Sequence, residues 1–269
     1  MTPDPAAVDT VIREVAETLI IPRFRRLAAH EITEKKAGDI VTIADQEAEY
    51  ALDTALRKLL PGSAVVGEEA VSARPAALDA LGGDGPVWIV DPVDGTQNFA
   101  DGKPCFAVIV ALAERGETVA GWIYEPVAAT TVWAIQGGGA YESGAQLRLG
   151  APKQMRQFTG SLNRRHHQRM KLSGDSVERE IGERALRYRC VGAEYADLAR
   201  GKLDFARYGG PIKPWDHAAG VLIHAEAGGY GAIAETGEPY RPAPTLKSQT
   251  LLLAPDEGNW RSLFDLLER

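Results

Sequence analysis

The sequence is poor in cysteine. It contains two cysteines in 269 residues, Cys105 and Cys190, and neither has a partner at CxxC spacing. A disulfide framework of the kind found in small secreted domains therefore cannot be built from this chain. We expect both side chains to be buried thiols of a protein in the reducing cytoplasm.

Long apolar runs and basic tails are also missing. The run from Cys105 to Ala113 is far shorter than the roughly 20 residues that span a bilayer. The segment Met1–Pro5 is acidic and leads into a helical pattern, which argues against a signal peptide. Lys and Arg number 30 against 37 Asp and Glu, giving a net charge of −7. We therefore expect neither nucleic acid nor a membrane as a partner.

The rest of the composition is that of a globular enzyme. Hydrophobic residues make up 45% and charged residues 25% of the chain, which is ordinary for such proteins. The length suits one large domain or two closely packed lobes. Near residue 150 a series of strand-like segments gives way to alternating helices and strands. We therefore predict lobes at 1–150 and 151–269 that together form one catalytic unit.

One stretch, Pro86 to Phe106, concentrates the chemistry of the chain. The apolar run Val87–Val90 predicts a buried strand. Pro92 should stop that strand, because proline fixes φ and lacks a backbone donor. Asp91 and Asp94 would then lie at the carboxyl end of a strand, where open α/β sheets bind their ligands.

These residues suit a metal-assisted reaction of a phosphate ester. The two carboxylates and the carbonyl of Val93 are the hard oxygen ligands that Mg²⁺ prefers. Gly95 lets a phosphate approach the backbone, and Thr96 begins a segment that can form a helix with free N–H groups. Because D-P and D-G are common turn dipeptides, an ordinary turn is the alternative interpretation.

The stretch D-P-V-D-G-T-Q-N-F resembles the signature of the inositol monophosphatase family, which are Mg²⁺-dependent, lithium-sensitive phosphomonoesterases. Three further motifs match in family order: D-I-V-T-I-A-D ending at Asp45, G-E-E beginning at Gly67, and W-D-H-A-A-G containing Asp216. Taken alone, Asp45 is better explained as a helix cap, Asp216 is equally well explained as one, and a solvated acidic turn is the alternative for Glu68 with Glu69. The resemblance covers roughly residues 8–254.

The resemblance implies both a fold and a mechanism. The fold is the layered α/β/α/β/α sandwich shared by inositol monophosphatase and fructose-1,6-bisphosphatase. Two or three Mg²⁺ ions would activate a water for attack on phosphorus, and a homodimer is also implied. The implied metal ligands are Glu68, Asp91, the Val93 carbonyl, Asp94 and Asp216. Asp45, Thr96 and Glu68 would be the catalytic residues, while the Gly95 and Thr96 amides would bind a phosphate oxygen.

The resemblance also places part of the substrate pocket. The backbone of Gly192 and Ala193 would line it, and Asp216 would contact the substrate as well as a metal. Glu194 stands where inositol-hydrolysing members have a small residue.

The substrate itself is predicted from charge. Inositol-hydrolysing members carry a carboxylate a few residues before W-D, whereas residues 205–215 contain no acid and include Arg207 and Lys213. Together with the basic segment Asn163–Lys171, these residues favour a sugar bisphosphate or phosphorylated nucleotide over inositol 1-phosphate. For the basic segment, a solvated helix start is an equally good interpretation.

Several functions share this chemistry. A small phosphorylated metabolite is the expected substrate, and activities on inositol phosphate, a sugar bisphosphate, a nucleotide 3′-phosphate or histidinol phosphate are not separated by the sequence. A non-enzymatic alternative is a regulatory binding partner, since some bacterial relatives are connected with transcription assemblies. The full set of catalytic residues and the acidic balance favour the enzyme.

Overall fold

Two β-sheets and one hairpin form the frame of the molecule, and helices cover the sheet faces. A computed structural model describes residues 3–36 and 38–268. The helices of this part of the chain are α1 (Pro5–Val15), α2 (Ile43–Leu59), α3 (Glu68–Ala73), α4 (Thr96–Ala100), α5 (Arg164–Lys171), α6 (Ser176–Arg184), α7 (Val191–Ala199), α8 (Pro214–Glu226) and α9 (Glu257–Leu267). Its strands are β1 (Ile32–Lys36), β2 (Asp39–Thr42), β3 (Ala64–Gly67), β4 (Val87–Asp94), β5 (Ala107–Glu114), β6 (Glu117–Glu125), β7 (Thr130–Ile135), β8 (Gly139–Glu142), β9 (Ala145–Leu147), β10 (Gly160–Ser161), β11 (Phe205–Pro211), β12 (Tyr230–Ile233) and β13 (Ser248–Ala254).

The larger sheet has seven strands in the order β3-β4-β5-β6-β7-β8-β9. β3 runs parallel to β4, and every later pair is antiparallel. The antiparallel meander predicted between Cys105 and Leu149 is therefore confirmed. The smaller sheet has the order β10-β11-β13-β12, with β10 parallel to β11.

Alternating side chains of the strands build three apolar layers. On the larger sheet, Trp88 and Val90 of β4 face α1 and α2, while Ile89 faces α7 and α8. On the smaller sheet, Ala206 of β11 faces that same central helix pair, and Phe205 packs with α5, α6 and α9. This period of two is what strand geometry requires. The order of layers is α/β/α/β/α, so the predicted layered sandwich is confirmed. The central apolar layer joins the two halves of the chain, and their division at residue 150 stays a prediction.

Pro92 does not end its strand, contrary to the sequence prediction. β4 continues through Pro92 to Asp94, and its pairing with β5 shifts register between Asp91 and Asp94. On its other side β4 pairs with β3 only as far as Val90. The missing N–H of Pro92 therefore falls in a bulge and beyond the end of β3, where no ladder bond is lost.

The β1–β2 hairpin was not predicted, because Glu34–Thr42 reads as a polar turn. Its strands pair in antiparallel register from Ile32 with Thr42 to Lys36 with Asp39. Among the described residues, no helix has both the length and the apolar character needed to cross a bilayer.

Candidate active site

The parallel pair β3–β4 brings two predicted acids to one edge of the larger sheet. Gly67 at the end of β3 is in register with Val90 of β4. The residues that follow, Glu68 and Asp91, are therefore neighbours across the strands. Asp91 is buried, and its Oδ1 accepts a hydrogen bond from the backbone N–H of Val93 at 3.1 Å.

A buried glutamate on α2 sets the position of Glu68. The two carboxylate oxygens of Glu49 accept the backbone N–H groups of Glu69 at 2.8 Å and Ala70 at 2.7 Å. These N–H groups have no acceptor within α3, because they lie at its N-terminus. Glu49, which belongs to α2, therefore caps α3. The cap requires glycine at position 67, because a Cβ there would lie 2.2 Å from Glu49 Cδ.

Asp94 is held by the start of α7. Its Oδ2 accepts a 2.6 Å hydrogen bond from the backbone N–H of Gly192 and a 3.1 Å contact from the thiol of Cys190. The thiol of Cys105 lies beside that of Cys190. Both cysteines are free thiols, as predicted, but only Cys190 is buried, while Cys105 is partly exposed. They meet next to a predicted metal ligand, which their separation in the sequence did not suggest.

Asp216, in the first turn of α8, completes an acidic cluster with Glu68, Asp91 and Asp94. Burial raises the pKa of Asp216, and with the repulsion of Glu68 and Asp94 it reaches about 8 against the opposing effect of Lys213. The pKa of Asp91 is also raised, first by burial and then by Glu68, Asp94 and Asp216. The carboxylates therefore repel each other in a buried, poorly solvated space.

Two lysines supply positive charge to this cluster. Lys213 Nζ lies 3.5 Å from Glu68 Oε1, and Lys35 Nζ lies 2.6 Å from Glu69 Oε1 and 3.9 Å from Glu68 Oε1. Asp216, Glu68 and Asp91 raise the pKa of Lys213, which overcomes the lowering effect of its burial. Both ammonium groups therefore stay charged at neutral pH.

The cluster has the donor chemistry of a magnesium site. Its ligands are all oxygens, and their mutual repulsion is the charge excess that a hard divalent cation would neutralise. Among the residues that the structure describes, no group of three or more His, Cys, Asp or Glu side chains is arranged so that it could hold a metal ion. The donor set fits Mg²⁺, while the metal ligand assignments stay predictions.

Asp45 contacts the partners that both of its predicted roles require, Thr42 at the start of α2 and Thr96. Its Oδ2 accepts the backbone N–H of Thr42 at 2.9 Å at the start of α2. Its Oδ1 lies 3.1 Å from Thr96 Oγ1, and that hydroxyl lies 3.0 Å from the carbonyl of Val93. Burial raises the pKa of Asp45 to about 7, although hydrogen bonds from Thr42 and Thr96 oppose the rise.

Gly95 makes the turn that places Thr96. Its φ of 86° lies in the left-handed region, which glycine adopts without strain. α4 starts at the next residue, so the predicted helix after the D-G turn is confirmed. Binding of a phosphate oxygen by the Gly95 and Thr96 amides stays a prediction.

A cavity of about 330 Å³ opens beside the acidic cluster between α7, α8 and β11. This size is at the lower end for small-molecule sites. Asp216 connects it to the cluster, and Glu194 and Arg207 also lie on its wall. The other residues that line it are Ser161, Leu162, Asn163, Arg187, Arg189, Cys190, Val191, Tyr208, Gly209, Pro211, Ile212 and His217.

Several predicted substrate residues do not line this cavity. Gly192 donates to Asp94, and Ala193 is buried in the central apolar layer. Lys213 points to Glu68 in the acidic cluster. Arg207 lines the cavity, but its guanidinium forms a bidentate ion pair with Glu268.

The basic segment 163–171 contributes only Asn163 to the cavity wall. Arg169 in this segment donates to the carbonyl of Leu267 at the end of α9. Two further arginines of the cavity wall, Arg187 and Arg189, are exposed and were not predicted. The sequence feature that could have indicated them is their position on either side of Tyr188, directly before the C-V-G motif.

Comparison with known proteins agrees with this fold. The model of the inositol monophosphatase family matches residues 4–262. Fructose-1,6-bisphosphatase/inositol-1-monophosphatase of Thermotoga maritima is 34% identical over 201 residues, which are 73% of each chain. Nus factor SuhB of Pseudomonas aeruginosa is 33% identical over 223 residues, 80% of this chain and 79% of that protein.

Solved structures show the same relationship. A Thermotoga maritima IMPase superposes with a TM-score of 0.78 at 26% identity, over 96% of this chain and 94% of its own. Sequence and architecture agree over nearly the whole length. The chain therefore belongs to the inositol monophosphatase family, a family of phosphatases.

Proposed function

We propose that this chain is a Mg²⁺-dependent phosphomonoesterase that hydrolyses a small phosphate ester with a metal-activated water. The observation that carries the proposal is the acidic cluster of Glu68, Asp91, Asp94 and Asp216, placed between the Asp45–Thr96 pair and a substrate-sized cavity. The sequence relatives named as inositol-1-monophosphatases support the same chemistry.

The cluster residues divide into two overlapping ligand sets. Glu68, Asp91 and the Val93 carbonyl would hold one Mg²⁺, and Asp91, Asp94 and Asp216 would hold a second. When bound, the ions supply a water of lowered pKa and neutralise charge on the leaving oxygen.

Thr96 and Asp45 would orient the attacking water. The Thr96 hydroxyl carries one proton, which it can donate to Asp45 Oδ1 at 3.1 Å. Its lone pairs then remain to accept a hydrogen bond from the water. Because burial raises the pKa of Asp45 to about 7, this carboxylate can take up a proton near neutral pH.

The proposal extends to the state of the protein and its inhibition. We propose a cytoplasmic homodimer with two or three Mg²⁺ per site, inhibited by millimolar Li⁺ as the family resemblance implies. Sedimentation velocity tests the dimer. A lithium titration of the initial rate tests the inhibition, and unchanged rates would contradict it.

A second candidate function comes from the relatives named Nus factor SuhB, one at 33% identity and one at 29%. Under this alternative the chain would act as a partner in a transcription assembly. Its acidic balance, with a net charge of −7, does not favour direct RNA binding.

Phosphate release from a panel of phosphomonoesters separates the two functions. The protein is first stripped of metal by a chelator and then titrated with Mg²⁺. We expect turnover that is absent without Mg²⁺ and saturates as the ion is added. A folded protein with no release at any Mg²⁺ concentration would contradict the phosphatase proposal.

A further inference from the structure

We propose that Glu194 and Tyr208 recognise the alcohol portion of the substrate, and that they select a phosphate ester carrying an N–H or O–H donor. This inference rests on the proposed phosphatase function and names the substrate class that the site would take. It replaces the sequence expectation of a doubly phosphorylated substrate.

Glu194 is a buried carboxylate to which few protein groups donate hydrogen bonds. It lies on the cavity wall with 4% of its surface exposed. Its Oε1 accepts a long hydrogen bond, 3.3 Å from the backbone N of Tyr188, and the hydroxyls of Ser161 and Tyr208 lie beside the carboxylate. A carboxylate can accept about four hydrogen bonds, and burial without them costs free energy. Burial raises the pKa of Glu194 to about 7, against smaller lowering effects of Ser161 and Tyr208.

Tyr208 adds a second polar atom to this wall. Its hydroxyl is buried beside the Glu194 carboxylate, and within residues 3–36 and 38–268 no atom lies at ordinary hydrogen-bond distance and angle from it. The ring is fixed by contacts with Tyr195 and His217, at 5.4 and 4.8 Å between centroids. An under-satisfied hydroxyl and an under-satisfied carboxylate therefore share one wall of the cavity. Buried polar groups are normally paired, so this pair is suited to a ligand.

α7 connects this wall to the acidic cluster. The helix holds Asp94 through the N–H of Gly192 and carries Glu194 two residues later. Asp216 lies on the same cavity. A phosphate held at the cluster would therefore leave its alcohol portion in the space that Glu194 and Tyr208 face.

The basic side chains near the cavity are either neutralised by ion pairs or exposed on its wall. Arg207 is paired with Glu268, and Lys213 with Glu68. Arg187 and Arg189 are exposed residues of the wall. A buried carboxylate repels a second phosphate group, whereas it accepts a hydrogen bond from an N–H or O–H group. Glu194 therefore disfavours binding of a bisphosphate.

A matched series of three-carbon esters tests the inference. Its members are n-propyl phosphate, 3-hydroxypropyl phosphate, 3-aminopropyl phosphate and 1,3-propanediol bisphosphate, compared by kcat/KM at saturating Mg²⁺. We expect the hydroxyl or amino ester to exceed n-propyl phosphate about 10- to 100-fold, as a hydrogen bond to a charged group allows. The leading ester identifies the donor as a hydroxyl or an ammonium.

Two substitutions assign the preference to the cavity wall. Glu194→Gln keeps the side-chain volume but removes the charge. It should lower kcat/KM for the donor esters about 10-fold or more and leave n-propyl phosphate within about 3-fold. Tyr208→Phe removes only the hydroxyl and should reduce the same preference about 3- to 10-fold. The matched control is Asp204→Asn, a buried carboxylate that does not line this cavity, and it should leave the ranking unchanged.

Three outcomes would overturn the inference. They are a lead by the bisphosphate, a lead by n-propyl phosphate, and an equal loss for all four esters in the Glu194→Gln protein. The last would show a purely structural carboxylate.

Failure of the proposed function gives a different result. In that case no ester releases phosphate, and recognition is measured by calorimetric binding of 3-aminopropyl and 3-hydroxypropyl phosphate to the wild type and to Glu194→Gln. Weaker binding of either ester to the variant would support the inference without turnover. Equal binding of both would contradict it.

Discussion

Asp91 shows how burial and neighbouring charges together change the ionisation of one side chain. Only 2% of its surface is exposed, and three other carboxylates act on it. Its pKa is therefore raised, which means that its ionised form is stabilised less in the folded than in the unfolded chain. In the absence of a cation, this charge lowers the stability of the fold.

We predict opposite effects of Asp91→Asn on stability and activity. In Mg²⁺-free buffer near neutral pH, the variant should be more stable to urea, because it removes a buried charge whose ionised form is stabilised less in the folded than in the unfolded chain. With Mg²⁺, kcat should fall about 10³-fold, since the proposed ligand shared by both ions is lost. Chemical denaturation and steady-state kinetics measure the two effects. Near-normal turnover would remove Asp91 from the site.

Thr96 and Asp45 are proposed to act together as one unit that orients the attacking water. We predict that Thr96→Ala and Asp45→Asn each lower kcat far more than they raise KM. The double variant should be scarcely worse than either single one, because residues acting as a unit are not additive. A double-mutant cycle on kcat makes the measurement. Fully additive losses would mean that Asp45 only caps α2 through Thr42.

At the scale of the element, α3 is the part most dependent on its surroundings. It has six residues and carries Glu68 and Glu69 in its first turn. A helix this short is not stable by itself. Its N-terminus is fixed by Glu49 of α2, which accepts two of its free N–H groups.

We predict that Glu49→Gln loosens α3 and weakens Mg²⁺ binding. The amide has one acceptor oxygen in place of two, so one helix N–H loses its partner at a cost of about 1 kcal/mol. The Mg²⁺ concentration for half-maximal activity should rise several-fold as Glu68 loses its fixed position. Urea denaturation and a Mg²⁺ titration measure this. Glu47→Gln, which removes a half-exposed partner of Arg23, is the control and should change neither value greatly.

For the whole molecule, several buried carboxylates share one electrostatic response. Burial raises the pKa of Asp45 and of Glu49 to about 7 and that of Asp216 to about 8. Their ordinary values are 3.8 for Asp and 4.5 for Glu. Between about pH 4 and 8 these carboxylates therefore bind more protons in the folded than in the unfolded chain. Their contribution to stability falls as the pH rises through this window. The buried His217 and His224, whose pKa values burial lowers from 6.5 to about 3 and about 4, act in the opposite direction below pH 6.5.

We predict that Mg²⁺ flattens this pH dependence. Without metal, the free energy of unfolding should decrease from pH 5 to pH 8. With saturating Mg²⁺ the decrease should become small, because the bound cation favours the ionised carboxylates and stabilises only the folded chain. Thermal and urea unfolding across pH, with and without Mg²⁺, provide the comparison. Identical slopes in both series would show that the cation does not bind at the acidic cluster.

The sequence by itself determined the features that depend on local order. The apolar runs and turn residues specified the antiparallel meander. They also specified a strand that leads into D-P-V-D and a helix that begins directly after Gly95. The four motifs specified the family. These signals are readable because strand period, turn geometry and helix caps involve residues close together in the chain.

Only the tertiary structure decided which charges meet in space. The ion pairs of Arg207 with Glu268 and of Lys213 with Glu68 join residues 61 and 145 positions apart, so the positive pocket expected from residues 205–215 could not be checked in the sequence. The same is true of Pro92, whose missing donor is harmless only because β3 ends at the level of Val90. Glu194 was visible as a departure from its family, but its burial beside the Tyr208 hydroxyl depends on how α7 packs against β11. Electrostatic environment is set by burial and by distant neighbours, and neither is a local property of the chain.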